Sequence, residues 1–283
     1  MLQHVGASAV PVFRGMQTAV TRDTFPNGDP MNGRAEQSKV HGAYLPLPEA
    51  AGSVQAEDAV SFLSRTYRDE ASPPTLVAVG PLSNIAMVLR LDPSLAARVP
   101  ALYCMGGGHG KGNASGSAEF NIWADPEGAE LVFSAGIAEV TLVPLNATHE
   151  GVLHVDDVAA IKALGTPASE AVVGCCEVML GWTGGPTFPC HDLLATMAVV
   201  APSVLQELVY CHVGVETQGL YTVGQTVLDL RPRGNVARDN QKDENMHVAL
   251  AADEALFREE FLGAMQADAD GPRRGSGTQT PKL

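Results

Sequence analysis

An α/β fold, with a mostly parallel sheet and helices on both faces, is what this sequence predicts. Three observations carry it. Apolar runs of strand length alternate with longer helical patterns. The strand runs are continuously apolar rather than alternating, as in strands buried on both faces. Gly, Pro and Asp punctuate the joins. With 283 residues and 45% hydrophobic content, the chain can bury one large core. One domain is expected over residues 1–265. A disordered tail is expected over 266–283, where Gly-Pro-Arg-Arg-Gly-Ser-Gly occurs.

The elements follow in order. Arg22 to Glu36, rich in Asn, Asp, Gly and Pro, reads as a mobile surface loop. Thr75 to Val79 is a β-rich run ending at Gly80-Pro81, and Pro81 opens a helix through Arg90. Asp92-Pro93-Ser94 starts a short helical turn, with Pro preset for the first helical position. Ala101 to Met105 is the next strand, running into Gly106-Gly107-Gly108. Ala124-Asp125-Pro126-Glu127 is N-cap chemistry for a helix through Phe133, closed by Gly136. Ile137 to Leu145 is again strand-like. In parallel sheets the chemistry sits at the carboxyl ends of strands, which directs attention to Val79-Gly80, Met105-Gly106 and Leu145-Asn146.

Composition excludes some partners. The net charge of −14 and pI near 4.9 argue against nucleic-acid backbones and anionic membranes. No apolar run approaches the roughly 20 residues of a membrane span. The N-terminus has no basic region followed by an apolar core, so no signal peptide is expected. The five cysteines form no C-x-x-C, which fits neither a disulfide framework nor a zinc site. A reducing, cytoplasmic setting is the expectation.

Three constellations could carry chemistry. Gly106 to Asn113 fails the Walker pattern, because Met105 and Gly112 stand where Gly and Ser or Thr are needed. It remains a glycine-rich strand end that a ligand can approach closely, or a tight turn only. Glu119-Phe120-Asn121 follows. A carboxylate and amides at such an edge suit a sugar diol, since Asn donates and accepts while Glu accepts twice. His191-Asp192 opens a helix after the turn-rich Gly184 to Pro189. Asp192 could hold a hard cation or cap the helix, and His191 could donate a proton or be incidental. Asn146 to Glu150 places His149 at a strand end, as a site residue or a satisfied polar group.

Together these segments resemble the inosine–uridine nucleoside hydrolase family. The resemblance rests on Val79-Gly80-Pro81-Leu82-Ser83-Asn84-Ile85-Ala86, on Met105 to Gly108 with Gly112-Asn113, and on Ala118 to Ile122. It continues through Ala124 to Ala129, Leu145 to His149, and His191-Asp192. It implies hydrolysis of the N-glycosidic bond of ribonucleosides to free base and ribose. It also implies a bound calcium, an Asp general base and an oxocarbenium-like transition state. Carried over, Asp192 and the Val79 carbonyl resemble calcium ligands. Asn113, Glu119 and Asn121 resemble ribose contacts, with Met105 and Phe120 lining the pocket. His191 resembles the proton donor to the leaving base, and His41 a mobile-loop residue that closes over substrate. A ribonucleoside substrate and a homodimer or homotetramer follow from the same resemblance.

The sequence also departs from that pattern. The family's strand ending in D-x-D-x-x-x-D-D has no counterpart here, and Met1 falls inside what should be the next helix. Asp23 to Asp29 is read as a coincidental turn. The expectation is therefore an N-terminally incomplete member whose calcium binding is weak or absent and whose hydrolysis by this chain is negligible. A catalytically inactive nucleoside- or ribose-binding protein is the alternative. Cys176 to His191 is shorter than the family's base-covering segment; Trp182 either supplies cover or packs as an ordinary aromatic.

Overall fold

The computed structural model describes residues 1–22, 47, 49, 52–232 and 242–271. His41, the Asp23 to Asp29 stretch and nearly all of the loop assigned to Arg22–Glu36 lie outside the described residues.

The strands are β1 (Leu76–Ala78), β2 (Leu102–Met105), β3 (Val140–Val143), β4 (Val152–His154), β5 (Thr187–Pro189), β6 (Leu205–Val215), β7 (Thr226–Asp229) and β8 (Met246–Ala252). Six of them form one sheet in the order β1-β2-β3-β8-β6-β7, while β4 and β5 pair separately. The pairs β1/β2, β2/β3 and β3/β8 are parallel; β6 runs antiparallel to β8, and β7 antiparallel to β6. The mostly parallel sheet expected from the continuous apolar runs is what forms.

The helices are α1 (Ala59–Asp69), α2 (Ser83–Leu91), α3 (Phe120–Ala124), α4 (Pro126–Phe133), α5 (Leu145–Thr148), α6 (Val155–Leu164), α7 (Pro167–Thr183), α8 (His191–Val200) and α9 (Glu254–Asp270). Their starts follow local chemistry. Asp125 accepts from Gly128 N at 3.0 Å with Pro126 in the first turn, and Asp253 accepts from Leu256 N at 3.0 Å.

Strand alternation divides the interior in two. Leu102 and Cys104 of β2, with Val140 and Leu142 of β3, meet Leu82, Ile85 and Leu89 on one face. Met105 and Val143 turn to the other face, against Leu145, Leu194 and Phe257. Each such large side chain, fully buried, contributes roughly 1.5–3 kcal/mol. The β2/β3 register sets Met105 opposite Val143, so both strands end at one level and their following turns lie side by side.

The first residues are tied to this frame by side chains rather than by the helix expected there; residues 2–6 form turns. Met16 N donates to Asn84 Oδ1 at 2.8 Å, and Val20 N to Asp125 Oδ2 at 3.0 Å. Arg22 forms a bidentate pair with Glu127 and also donates to the Thr217 carbonyl at 2.8 Å.

Three expected boundaries move. Helix α9 persists to Asp270, five residues into the segment expected as tail. Gln266 Nε2 donates to Asp270 Oδ1 at 3.0 Å, and Gly271 with φ 71° then ends the helix. The stretch expected as strand to Leu145 stops at Val143, because Pro144 breaks the ladder and Leu145 opens α5. Part of the turn-rich Gly184 to Pro189 is strand β5.

Candidate active site

The glycine-rich turn after β2 is folded by what it bonds. Gly107 N donates to Glu119 Oε2 at 2.9 Å, and the Gly107 carbonyl accepts from Leu145 N at 2.9 Å. Gly107 sits at φ 73°, and a Cβ there would lie 2.6 Å from Thr226 Cγ2. Only glycine fits without strain. Thr226 closes the next link: its hydroxyl accepts from Gly108 N at 2.9 Å and donates to the Gly108 carbonyl at 3.1 Å. Asn146 clasps His109 the same way, accepting from its N–H at 2.8 Å and donating to its carbonyl at 3.2 Å. The turn is thus held against the ends of β3 and β7.

Glu119 is buried and caps α3. Its Oε2 accepts from Gly107 N, Asn121 N (2.9 Å) and Ile122 N (3.3 Å), leaving Oε1 for a ligand. Burial pushes this carboxyl up, the three backbone donors pull it back, and the negative charge of Asp192 pushes it up again. That last effect puts Asp192 and Glu119 in one electrostatic neighbourhood although 73 positions separate them in sequence. Asn121, also buried, donates through Nδ2 to the Met105 carbonyl at 3.1 Å and lies 3.3 Å from Met105 Sδ. These contacts leave its carboxamide oxygen as an acceptor. Asn113 Oδ1 accepts from Phe120 N at 2.8 Å, so this candidate ribose contact also shapes the loop. The Phe120 ring is tilted against Trp123 at 6.4 Å.

His191 and Asp192 occupy the first turn of α8. His191 Nδ1 lies 2.7 Å from Thr148 Oγ1, and its ring is 5.6 Å from that of His149. Burial, then the neighbouring His149, lower His191 to about 4; burial, then Lys111, lower His149. Both rings are therefore neutral at neutral pH, and His191 offers a neutral N–H rather than an imidazolium. Asp192 is exposed at the helix start, where a carboxylate favours the helix dipole. Val79 follows the last residue of β1, one residue beyond where that strand stops, and is exposed.

The donor set for a hard divalent cation is short. Among the described residues no three His, Cys, Asp or Glu side chains gather as a metal site. Asp192 and the Val79 carbonyl alone do not fit a calcium shell of roughly 6–8 oxygens.

Several motif residues turn out to build rather than bind. Asp125, fully buried, accepts from Val20 N, Gly128 N and Ser83 Oγ, and Asn84 holds Met16. Trp182 is 50% exposed at the end of α7, so it is not an ordinary packed aromatic. Thr226 has no mark in the sequence, and Thr148 lies within the Leu145 to His149 segment without a role of its own there. A threonine carries no periodic or spacing signal, and their roles exist only once distant segments meet. A cleft of about 510 Å³ beside β6 and β7, lined in part by Glu130, His212, Glu216, Asp229 and Lys242, shares no residue with this cluster.

Residues 1–259 match the family model described as inosine-uridine preferring nucleoside hydrolase. The pyrimidine-specific ribonucleoside hydrolase RihA of Escherichia coli O139:H28 is 37% identical over 226 residues, covering 75% of this chain and 70% of that protein. The RihA of Escherichia coli O17:K52:H18 is 35% identical over 272 residues, covering 91% and 83%. Among solved structures, the purine-preferring ribonucleoside hydrolase from Gardnerella vaginalis superposes with a TM-score of 0.80 at 25% identity, covering 95% of this chain and 83% of that one. A plant nucleoside hydrolase, at 21% identity and a TM-score of 0.79 over 94% and 83%, shows the same fold.

Proposed function

The chain belongs to the inosine-uridine preferring nucleoside hydrolase family, whose reaction is ribonucleoside hydrolysis, and from that premise we propose pyrimidine ribonucleosides as its preferred substrates and a role for each site residue. The substrate preference is supported by the pyrimidine-specific relatives at 35–37% identity.

In the reaction, the bond between C1′ and the base nitrogen breaks and its electron pair leaves with the base. Water adds its hydroxyl to C1′, and a proton ends on the base. The sugar passes through an oxocarbenium-like state, which carboxylates beside the ring stabilise. The observation that carries the assignment is geometric: Glu119, through Gly107 N, and Asn121, through the Met105 carbonyl, are both fixed at the carboxyl end of β2 with one oxygen of each not used in those bonds. Glu119 Oε1 and the Asn121 carboxamide oxygen take the ribose hydroxyls. Asn113 Nδ2 reaches the same diol, and Met105 and Phe120 give the ring an apolar wall. His191 faces the departing base and donates a hydrogen bond to it. Asp192 and the Val79 carbonyl belong to the side of the site where the family holds calcium, and they need further oxygens to hold it. His41 is the residue assigned to closing over bound nucleoside.

The test is release of free base and free ribose from uridine, cytidine, inosine and guanosine, without phosphate. Whatever turnover the residues of this chain support, against the negligible hydrolysis expected from its sequence, is expected to be faster for uridine and cytidine than for the purine nucleosides. Glu119→Gln keeps an oxygen for the backbone donors and is expected to lower kcat by about 10²–10³-fold at little cost in stability. Faster release of hypoxanthine than of uracil would overturn the pyrimidine preference, and unchanged kcat in Glu119→Gln would overturn the role of Glu119.

A further inference from the structure

His191 has two ring nitrogens, and which one carries the proton decides what the ring can do for a leaving base. The structure contains the group that decides it. Thr148 ends the short helix α5 and is fully buried, and its Oγ1 lies 2.7 Å from His191 Nδ1. Among the described residues, this is the hydrogen bond that the hydroxyl makes. Two arrangements can make this bond. If Nδ1–H donates to Oγ1, the buried hydroxyl hydrogen is left with no acceptor. If Oγ1–H donates to Nδ1, every polar atom of the pair is used and the ring proton sits on Nε2. Buried polar hydrogens are satisfied almost without exception, which selects the second arrangement.

We propose that Thr148 is a positioning residue: its hydroxyl donates to Nδ1, fixes His191 as the Nε2–H tautomer, and keeps that N–H on the far side of the ring for an acceptor on the departing base. The inference deepens the reading of His191 given under Proposed function and rests on it. It assigns the orienting role to Thr148 and not to His149. The His149 ring stands 5.6 Å from His191 at 54°, a packing contact with no bond between ring nitrogens. The surroundings make Thr148 a rigid support. Its N–H donates to the Pro144 carbonyl at 3.0 Å, and the neighbouring Asn146 clasps His109 of the glycine-rich turn. One four-residue helix therefore holds both the turn and the imidazole. With an Nε2–H, the ring stabilises negative charge accumulating on a base oxygen or nitrogen as the glycosidic bond lengthens. With the proton on Nδ1, it presents a lone pair to that charge instead.

The experiment uses the full chain with ¹⁵N-labelled histidine and four variants: Thr148→Val, Thr148→Ser, His149→Ala and His191→Gln. Loss of a signal in His191→Gln assigns the ring. Long-range ¹H–¹⁵N spectra are expected to show His191 protonated on Nε2 in the parent, in Thr148→Ser and in His149→Ala. In Thr148→Val they are expected to show a mixture, with the other histidine signals unmoved as a check on folding. In turnover of uridine, Thr148→Val is expected to lose between about 10- and 1000-fold in kcat with little change in KM, and Thr148→Ser to recover it. A riboside whose leaving group is a stabilised phenolate needs no donor, so its rate should be the same in the parent and in the three Thr148 and His149 variants. A parent ring protonated on Nδ1, or a Thr148→Val spectrum identical to the parent, overturns the proposal. His191→Gln with full turnover of uridine overturns instead the reading of His191 beneath it. Loss in His191→Gln without loss in Thr148→Val leaves that reading standing and overturns the role of Thr148.

Discussion

At Gly107, a single missing Cβ sets the shape of the site. The residue holds φ 73°, with Thr226 Cγ2 2.6 Å from where a Cβ would stand, while its N–H and carbonyl reach Glu119 and Leu145. Gly107→Ala is expected to cost about 1–3 kcal/mol from backbone strain, read as a lower urea midpoint. It should also shift the Glu119 cap and lower kcat. A variant as stable as the parent would show that the turn relaxes freely. The same scale explains why several family-motif residues are not ligands. Asp125 and Asn84 spend their oxygens on the backbone of residues 16–20 and on neighbouring helix starts. Glu119 and Asn121 instead commit one atom to the protein and leave another open.

Among the elements, α6 and α9 are joined by an ion pair shielded from solvent. The Asp157 side chain is 5% exposed; it accepts from Arg258 Nε at 2.8 Å, from Arg258 Nη2 at 2.9 Å and from His154 N at 2.8 Å. Burial pushes the Asp157 carboxyl up, but the Arg258 bonds and the His154 N–H outweigh it and hold it below the usual carboxylate value. A depressed carboxyl stabilises the fold above its unfolded pKa of about 3.9, and that stability is lost as pH falls through the lower folded value. Asp157→Asn is therefore expected to lower stability by about 1–3 kcal/mol at pH 7. The gap to the parent should hold down to about pH 5 and close below about pH 4. Urea denaturation across that range checks it; a gap that widens in acid would refute the assignment.

Over the whole molecule, two cores share one sheet, and the candidate site lies where the parallel strands β2 and β3 end between them. Among the described residues, no helix is long and apolar enough to cross a membrane. The net charge of −14 keeps molecules apart at neutral pH, and it vanishes near the pI of about 4.9. Solubility is expected to pass through a minimum near that pH and to recover on either side, measured as turbidity at fixed concentration. A minimum near neutrality would mean that an apolar surface, not charge, controls association.

The sequence by itself determined the class of fold and the order of elements from β1 to β3. Those depend on signals that act within a few residues: apolar runs from Thr75 and Ala101, the Asp125-Pro126 cap, and the glycines that stop strands. It also marked Glu119, Asn121, His191 and Asp192 as a set, through segments resembling one family. It did not reveal α9, whose last residues, Gln266 to Asp270, adjoin a tail-like composition. What only the tertiary structure decided is the division of labour among polar residues. Thr148 meets His191 across 43 positions, Gly108 meets Thr226 across 118, and Val20 meets Asp125 across 105. Hydrogen bonds between such distant segments leave no periodicity in the chain, since their energy depends on angles and ångströms set by packing two cores against one sheet.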